Sequence, residues 1–254
     1  MLDTLKILLH QGKQYIPDVT KAKVPGIFRG RPVISEDKSA DNQSICDVCP
    51  THALFEKEGK LQLDLGRCAF CGECERCFPN KIHFTQDYKL ATNKRENLIV
   101  KEGEDKPIVF DKNAVRPEVK KLFGKSLKLR QVSAAGDNSG EWELGATGNV
   151  NFDMGRFGFE FVASPRHADG VVITGPISSN MAEALDICYN SVPDPKIVIV
   201  CGSEACSGGL YASSRAVDRS FLERYKVDLW LPGAPTHPMT FIDGVMNMLK
   251  LKTR

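Results

Sequence analysis

No stretch of this sequence approaches the roughly 20 consecutive apolar residues that a membrane-spanning helix needs. The longest apolar runs, such as residues 197–201, are strand-sized. The opening residues, MLDTLKILLHQGKQY, are too polar for a secretion signal and lack a small-residue cleavage site, which predicts a cytoplasmic chain. Charge of one sign is also scarce: 34 basic against 32 acidic residues leave a net +2, so no strong field points to nucleic acid. There is no Ser-His-Asp grouping, no P-loop and no dinucleotide-binding glycine motif with its acidic partner. What remains is an ordinary globular balance, 42% apolar and 26% charged over 254 residues, enough for one large domain or two ordinary ones.

Cysteine, by contrast, is plentiful. Six of the nine cysteines lie within residues 46–77, and the others are Cys188, Cys201 and Cys206. Clustered cysteines in a cytoplasmic chain read as metal ligands rather than disulfides.

The chain divides into four stretches. Residues 1–30 form a helix and an irregular arm punctuated by Pro17, Pro25, Gly26 and Gly30. Leu2, Leu5, Leu8 and Leu9 mark one face of that helix, read as core-facing, with docking to a partner as the alternative. Residues 31–90 are turn-rich and hold an internal repeat, VISEDKSADNQSICDVCPTHALF and LQLDLGRCAFCGECERCFPNKIHF. Each half has a short strand, a loop, a Cys or Phe before Pro, then a short helix and strand. Residues 91–126 are charged and read as a linker. From residue 127 strands (KLRQVSA, GVVIT, KIVIVCG, VDLWLPG) alternate with helical stretches (MAEALDICYNSV, residues 213–224 and HPMTFIDGVMNMLKLK), which predicts a parallel sheet covered on both faces.

Cys68-x-x-Cys71-x-x-Cys74 has the spacing of the first three ligands of a bacterial 4Fe-4S ferredoxin motif, whose fourth cysteine precedes a proline. A zinc knuckle is the alternative. In two-cluster ferredoxins the fourth cysteine of one motif serves the other cluster. Cys49, followed by Pro50, therefore completes the set Cys49, Cys68, Cys71 and Cys74. The second set is broken: Ser39, Asn42, Ile45 and Phe78 stand where its ligands belong. The resemblance to two-cluster ferredoxins thus implies one 4Fe-4S cluster. Cys46 and Cys77 sit one residue off the motif and are read as leftover thiols, the alternative being that they take part in a remodelled site.

Residues 156–178 (RFGFEFVASPRHADGVVITGPIS), 195–211 (PKIVIVCGSEACSGGLY) and 227–238 (VDLWLPGAPTHP) resemble the small subunits of energy-converting nickel–iron hydrogenases, formate hydrogenlyase and complex I. The N-terminal half, including FRGRP at residues 28–32, resembles the ferredoxin subunit that partners them, so the chain looks like two neighbouring subunits fused. The implied fold is an α+β ferredoxin-like N-terminal domain (31–90) followed by an α/β parallel-sheet, flavodoxin-like domain (127–254). That family holds a 4Fe-4S cluster in its second domain, on G-S-C-x-G-C, G-[SD]-C and P-G-C-P loops. The corresponding positions here are Asn138, Glu141, Glu204 and Ala234. Every thiolate is gone, and hard oxygen donors suit a sulfide cluster poorly, so this site is expected to bind no cluster. Glu141 and Glu204 are expected to face solvent or pair with a base such as Arg166, a divalent cation bound between them being the alternative. The resemblance also implies that Arg166, His167 and Asp169 pack near the cluster and the subunit interface, a structural corner being the alternative. His237 reads as a helix-cap residue.

The implied function is an iron–sulfur electron-transfer subunit of a membrane-associated hydrogenase-like or complex I-like oxidoreductase. It would be peripheral on the cytoplasmic face of the inner membrane, beside a hydrogenase-like large subunit and membrane subunits, and not catalytic alone. The alternatives are a non-catalytic structural or assembly subunit of such a complex, and a stand-alone ferredoxin-type carrier.

Overall fold

The computed structural model describes residues 2–12, 14–124 and 126–249. Helix α1 (Leu2–Gln11) forms where the leucine spacing predicts, but none of its described residues is buried. Leu2, Leu5, Leu8 and Leu9 all face outward. The core-facing reading of this stripe is thereby corrected: among the described residues nothing packs over it.

The following stretch builds strand–helix–strand twice, but each short helix comes before the Cys49-Pro50 or Phe78-Pro79 step and not after it, where the repeat was read to place it. The first copy is β1 (Pro32–Ile34), α2 (Asn42–Asp47) and β2 (Leu54–Lys57); the second is β3 (Lys60–Asp64), α3 (Glu73–Cys77) and β4 (Ile82–Phe84). The outer strands β1 and β4 pair antiparallel, as do β2 and β3. Glu58 and Gly59, both left-handed, make the tight turn between β2 and β3. Helix α2 starts on Asp41, whose carboxylate accepts from the Ser44 N–H at 3.0 Å. Ile34, Ile45, Leu61, Leu63, Leu65, Ile82 and Leu98 are buried together as the core of this half.

Residues 91–126, expected as a linker, carry ordered elements. Strand β5 (Ile99–Lys101) pairs with β3 and widens that sheet to three strands. Helix α4 (Pro117–Phe123) starts on a proline and buries Val119 and Phe123. The sequence hid both because β5 is three residues long and α4 seven, too short to show a period.

The C-terminal half is a parallel sheet. Its elements run β6 (Leu127–Ser133), α5 (Ser139–Ala146), β7 (Phe159–Phe161), β8 (Gly170–Thr174), α6 (Ser179–Ser191), β9 (Ile197–Cys201), α7 (Ser203–Ser207), α8 (Ser220–Arg224), β10 (Leu229–Leu231) and α9 (Pro238–Leu249). The strand order is β10-β9-β8-β6-β7, every pairing parallel. Strands β8 and β9 are buried at every position, the mark of a sheet covered on both faces. Side chains alternate between those faces: Val172, Ile197 and Ile199 pack with α9, while Val171, Ile173, Val198 and Val200 pack with α6 and α8.

Three expectations change here. Strand β7, inside RFGFEF, adds an edge that the sequence did not announce. Residues 213–224 are helical only over α8; upstream, Val217 bridges to Ser178 and the Ser179 N–H donates to Ala216, so the backbone is committed elsewhere. The closing helix ends its described course at Leu249, and its expected extension to Lys252 lies outside the described residues.

The halves meet through specific bonds. Thr92 and Trp230 exchange backbone hydrogen bonds at 3.1 and 2.7 Å, continuing the sheet past β10. Thr240 Oγ1 donates to the Tyr88 carbonyl at 2.7 Å.

Candidate functional site

Cys49, Cys68, Cys71 and Cys74 line one small cavity. Cys49 follows α2, Cys74 lies on α3, and Cys68 and Cys71 occupy the loop between β3 and α3. That loop coils tightly because Phe70 and Gly72 both take left-handed backbone (φ 51° and 79°). Backbone donors already point at two of the sulfurs: the Ala53 N–H to Cys49 Sγ at 3.2 Å and the Phe70 N–H to Cys68 Sγ at 3.3 Å. Burial pushes the Cys68 thiol up, and the Cys74 thiol to about 12. Both therefore stay protonated at neutral pH unless a bound metal displaces the proton. Four soft sulfur donors with N–H groups aimed at them fit an iron–sulfur cluster. Among the described residues, no group of three or more His, Cys, Asp or Glu side chains is gathered to hold a metal ion.

The broken second set is filled by other packing. Ile45 is fully buried in the core and Phe78 packs against it. Asn42 instead donates to Glu56 at 2.8 Å. Cys46 is half-buried and Cys77 exposed, and neither lines the cavity of the other four.

In the C-terminal half the three loops expected to converge do so. A cavity of about 170 Å³ at the C-terminal ends of β8, β9 and β10 is lined by Gly136, Asp137, Glu141, Gly202, Glu204 and Ala234, among others. Thr174 and Gly175, at the end of β8, close it. The approach is tight: a β-carbon at Gly175 (φ 77°) would lie 2.3 Å from the Gly136 nitrogen.

Side chains at the former ligand positions have other occupations. Glu141 Oε1 accepts from Thr174 Oγ1 at 2.6 Å. Glu204 is half-buried, and its carboxyl is pushed up by burial and then by the charges of Asp137 and Glu141. Ala234 offers no donor atom, and Asn138, left-handed at the start of α5, does not line the cavity. This set does not fit an iron–sulfur cluster. Cys201 and Cys206 are buried with thiols pushed up to about 12, so they behave as small apolar side chains.

The expected pairing of the two glutamates with Arg166 is corrected. Arg166 and His167 are exposed in a short turn just before β8, at the opposite end of the strand from the cavity. Asp169 is a corner residue there, its Oδ2 accepting from the Lys128 N–H at 2.7 Å. The run SPRHAD therefore does not pack near the former cluster positions, because β8 starts directly after it and carries the chain across the sheet. Arg219, half-buried, donates to the carbonyls of Pro176, Glu204 and Ala205. His237 behaves as the cap expected of it, with Nδ1 accepting from the Met239 N–H at 3.2 Å.

Two features of the site carry no sequence signal. The Ser203 hydroxyl, in the second loop of this cavity, donates to the Cys68 carbonyl at 2.6 Å. Arg29, which the sequence offers only as part of FRGRP, reaches the Phe70 carbonyl at 3.4 Å. Long sequence separation leaves neither with a local pattern.

The family model of the NADH ubiquinone oxidoreductase 20 Kd subunit matches residues 138–248, a region that excludes all the clustered cysteines. An NADH-quinone oxidoreductase subunit from Heliobacterium modesticaldum is 43% identical over 113 residues, 44% of this chain and 63% of that protein. The chain thus spans just under two thirds of that relative's length. The probable membrane-bound hydrogenase subunit mbhJ of Pyrococcus furiosus is 32% identical over 130 residues, 51% of this chain and 78% of that protein. A chain in the structure of the membrane-bound sulfane sulfur reductase, an archaeal respiratory membrane complex, is 27% identical with a TM-score of 0.46, over 53% of this chain and 75% of that one.

Proposed function

This chain belongs to the family of the NADH ubiquinone oxidoreductase 20 Kd subunit, and from that premise we propose that it is an iron–sulfur electron-transfer subunit of a membrane-associated, hydrogenase-like or complex I-like oxidoreductase. Cys49, Cys68, Cys71 and Cys74 would hold one 4Fe-4S cluster in a ferredoxin-like domain spanning residues 31–90. Residues 127–254 would form the small-subunit domain, joined to it through residues 91–126. When bound, the cluster supplies one-electron transfer. The chain's own residues contribute the thiolates, the N–H donors of Ala53 and Phe70, and the buried surroundings of Cys68 and Cys74.

The observation that carries this reading is the single cavity shared by the four cysteines. A zinc knuckle converges four donors on one ion, whereas a cubane takes one thiolate at each iron and keeps them apart. Four cysteines placed around one cavity supply one thiolate for each iron of a cubane.

Working partners in this proposal are a hydrogenase-like large subunit and membrane subunits, with the chain peripheral on the cytoplasmic face of the inner membrane. No helix among the described residues is long and apolar enough to cross a membrane. A second reading, a non-catalytic structural or assembly subunit, is favoured by one observation, the donor-poor set at Asn138, Glu141, Glu204 and Ala234.

Iron and sulfide determination on anaerobically prepared protein separates the readings. Electron transfer through this chain requires about four iron atoms per chain, the content of one cubane. Cys71→Ser should abolish the visible absorbance. Protein without iron after anaerobic reconstitution would leave only the structural reading.

A further inference from the structure

We propose that Arg29, from the N-terminal arm, sets the reduction potential of the cluster site by placing a fixed positive charge against the Cys68–Cys74 loop. The inference rests on the cluster assigned above and adds a residue outside its ligand set.

Three observations place the charge. Arg29 Nη1 donates to the carbonyl of Phe70, the residue just before Cys71, at 3.4 Å. The guanidinium lies over Gly72, directly after Cys71: a β-carbon there would stand 2.5 Å from Arg29 Nε and 2.9 Å from Cζ. Gly72 has φ 79°, so the backbone that shapes the cysteine loop and the missing side chain that admits Arg29 are one feature. The arm itself is anchored, with the Gly30 N–H donating to the Thr85 carbonyl at 2.7 Å and the Arg31 N–H to the Asp87 carbonyl at 3.0 Å.

Of the other charged residues, Arg76 pairs with Glu73 at 2.5 Å and Arg95 with Asp64 at 2.7 Å. Arg67, directly before Cys68, is exposed. Among the described residues no carboxylate pairs with Arg29. An arginine is a permanent cation. Four thiolates and a cubane form an anionic unit that gains one further negative charge on reduction. An uncompensated cation at its edge favours the more negative state and so raises the potential. Because Arg29 is exposed, that effect must weaken with salt.

The test uses the full chain, reconstituted anaerobically, as wild type, Arg29→Gln and Arg29→Lys. Each is assayed for iron, for its electron paramagnetic resonance signal after reduction, and for midpoint potential at low and high ionic strength. The expected result is equal iron in all three, a lower potential in Arg29→Gln, recovery of most of the shift in Arg29→Lys, and a difference that shrinks as salt rises. An unchanged potential in Arg29→Gln with iron retained overturns the proposal while leaving the cluster assignment standing. Loss of iron in Arg29→Gln overturns it too, since the residue would then be holding the loop rather than tuning it. A wild type that binds no iron removes the cluster assignment, and this inference with it.

Discussion

The hydroxyl of Ser203 donates a 2.6 Å hydrogen bond to the backbone carbonyl of Cys68, tying the parallel sheet to the cysteine loop of the N-terminal half. Ser203 is buried, sits in the second loop of the C-terminal cavity, and also receives the Gly233 N–H at 3.4 Å. One side chain thus holds a cysteine proposed as a cluster ligand against two loops that line the cavity of the C-terminal half.

Removing that hydroxyl strands a buried carbonyl. Ser203→Ala should lower stability by about 1–3 kcal/mol, the range for an unsatisfied buried polar group. Chemical denaturation measures it; an unchanged midpoint would mean that the interdomain bond contributes nothing net.

The thiols outside the shared cavity should be dispensable. Cys46→Ser and Cys77→Ser are expected to keep the full iron content, and Cys49→Ser and Cys68→Ser to lose it. Iron analysis of the four variants decides the ligand set, and loss of iron in Cys46→Ser would move the fourth ligand.

The C-terminal cavity should accept a cluster once thiolates are supplied. Restoring cysteine at Asn138, Glu141, Glu204 and Ala234 together is expected to add about four iron atoms per chain, as a second cubane requires. Variants with fewer than four replacements should add little. A second cluster signal in the unaltered protein would show that the cavity is not empty.

Asp243, on the buried helix α9, supplies a pH test. Burial raises its carboxyl to about 6, with Asn247 donating to it at 2.9 Å. The folded state therefore binds a proton that the unfolded state, with an ordinary value near 3.9, has released. Stability must fall as pH rises from about 4 to 6. Asp243→Asn removes the cost, so it should exceed wild type by about 1–3 kcal/mol above pH 6 and lose that advantage below about pH 4. Thermal melts across this range check the sign, and a variant less stable than wild type at pH 7 would contradict it.

Much of the architecture was visible in the residues because the signals were local. The runs GVVIT and IVIVC read as strands of a sheet covered on both faces, and both are buried along their whole length. The repeat around Cys49 and Cys74 foretold two copies of strand, helix and strand, but not that each helix comes before its proline step. Short features stayed hidden, among them β5 and β7.

By itself the sequence determined which side chains can bind soft metal and which cannot: four thiols with the right spacing, and an alanine, an asparagine and two glutamates elsewhere. Donor chemistry belongs to the residue and needs no fold. Only the tertiary structure decided what stands beside those groups. It turned the leucines of α1 outward, put SPRHAD at the far end of β8, and brought Ser203 and Arg29 to the cysteine loop. Contacts 135 and 41 residues apart leave no trace in any local pattern. Each depends on packing between segments far apart in the chain, which side-chain shape over the whole contact sets.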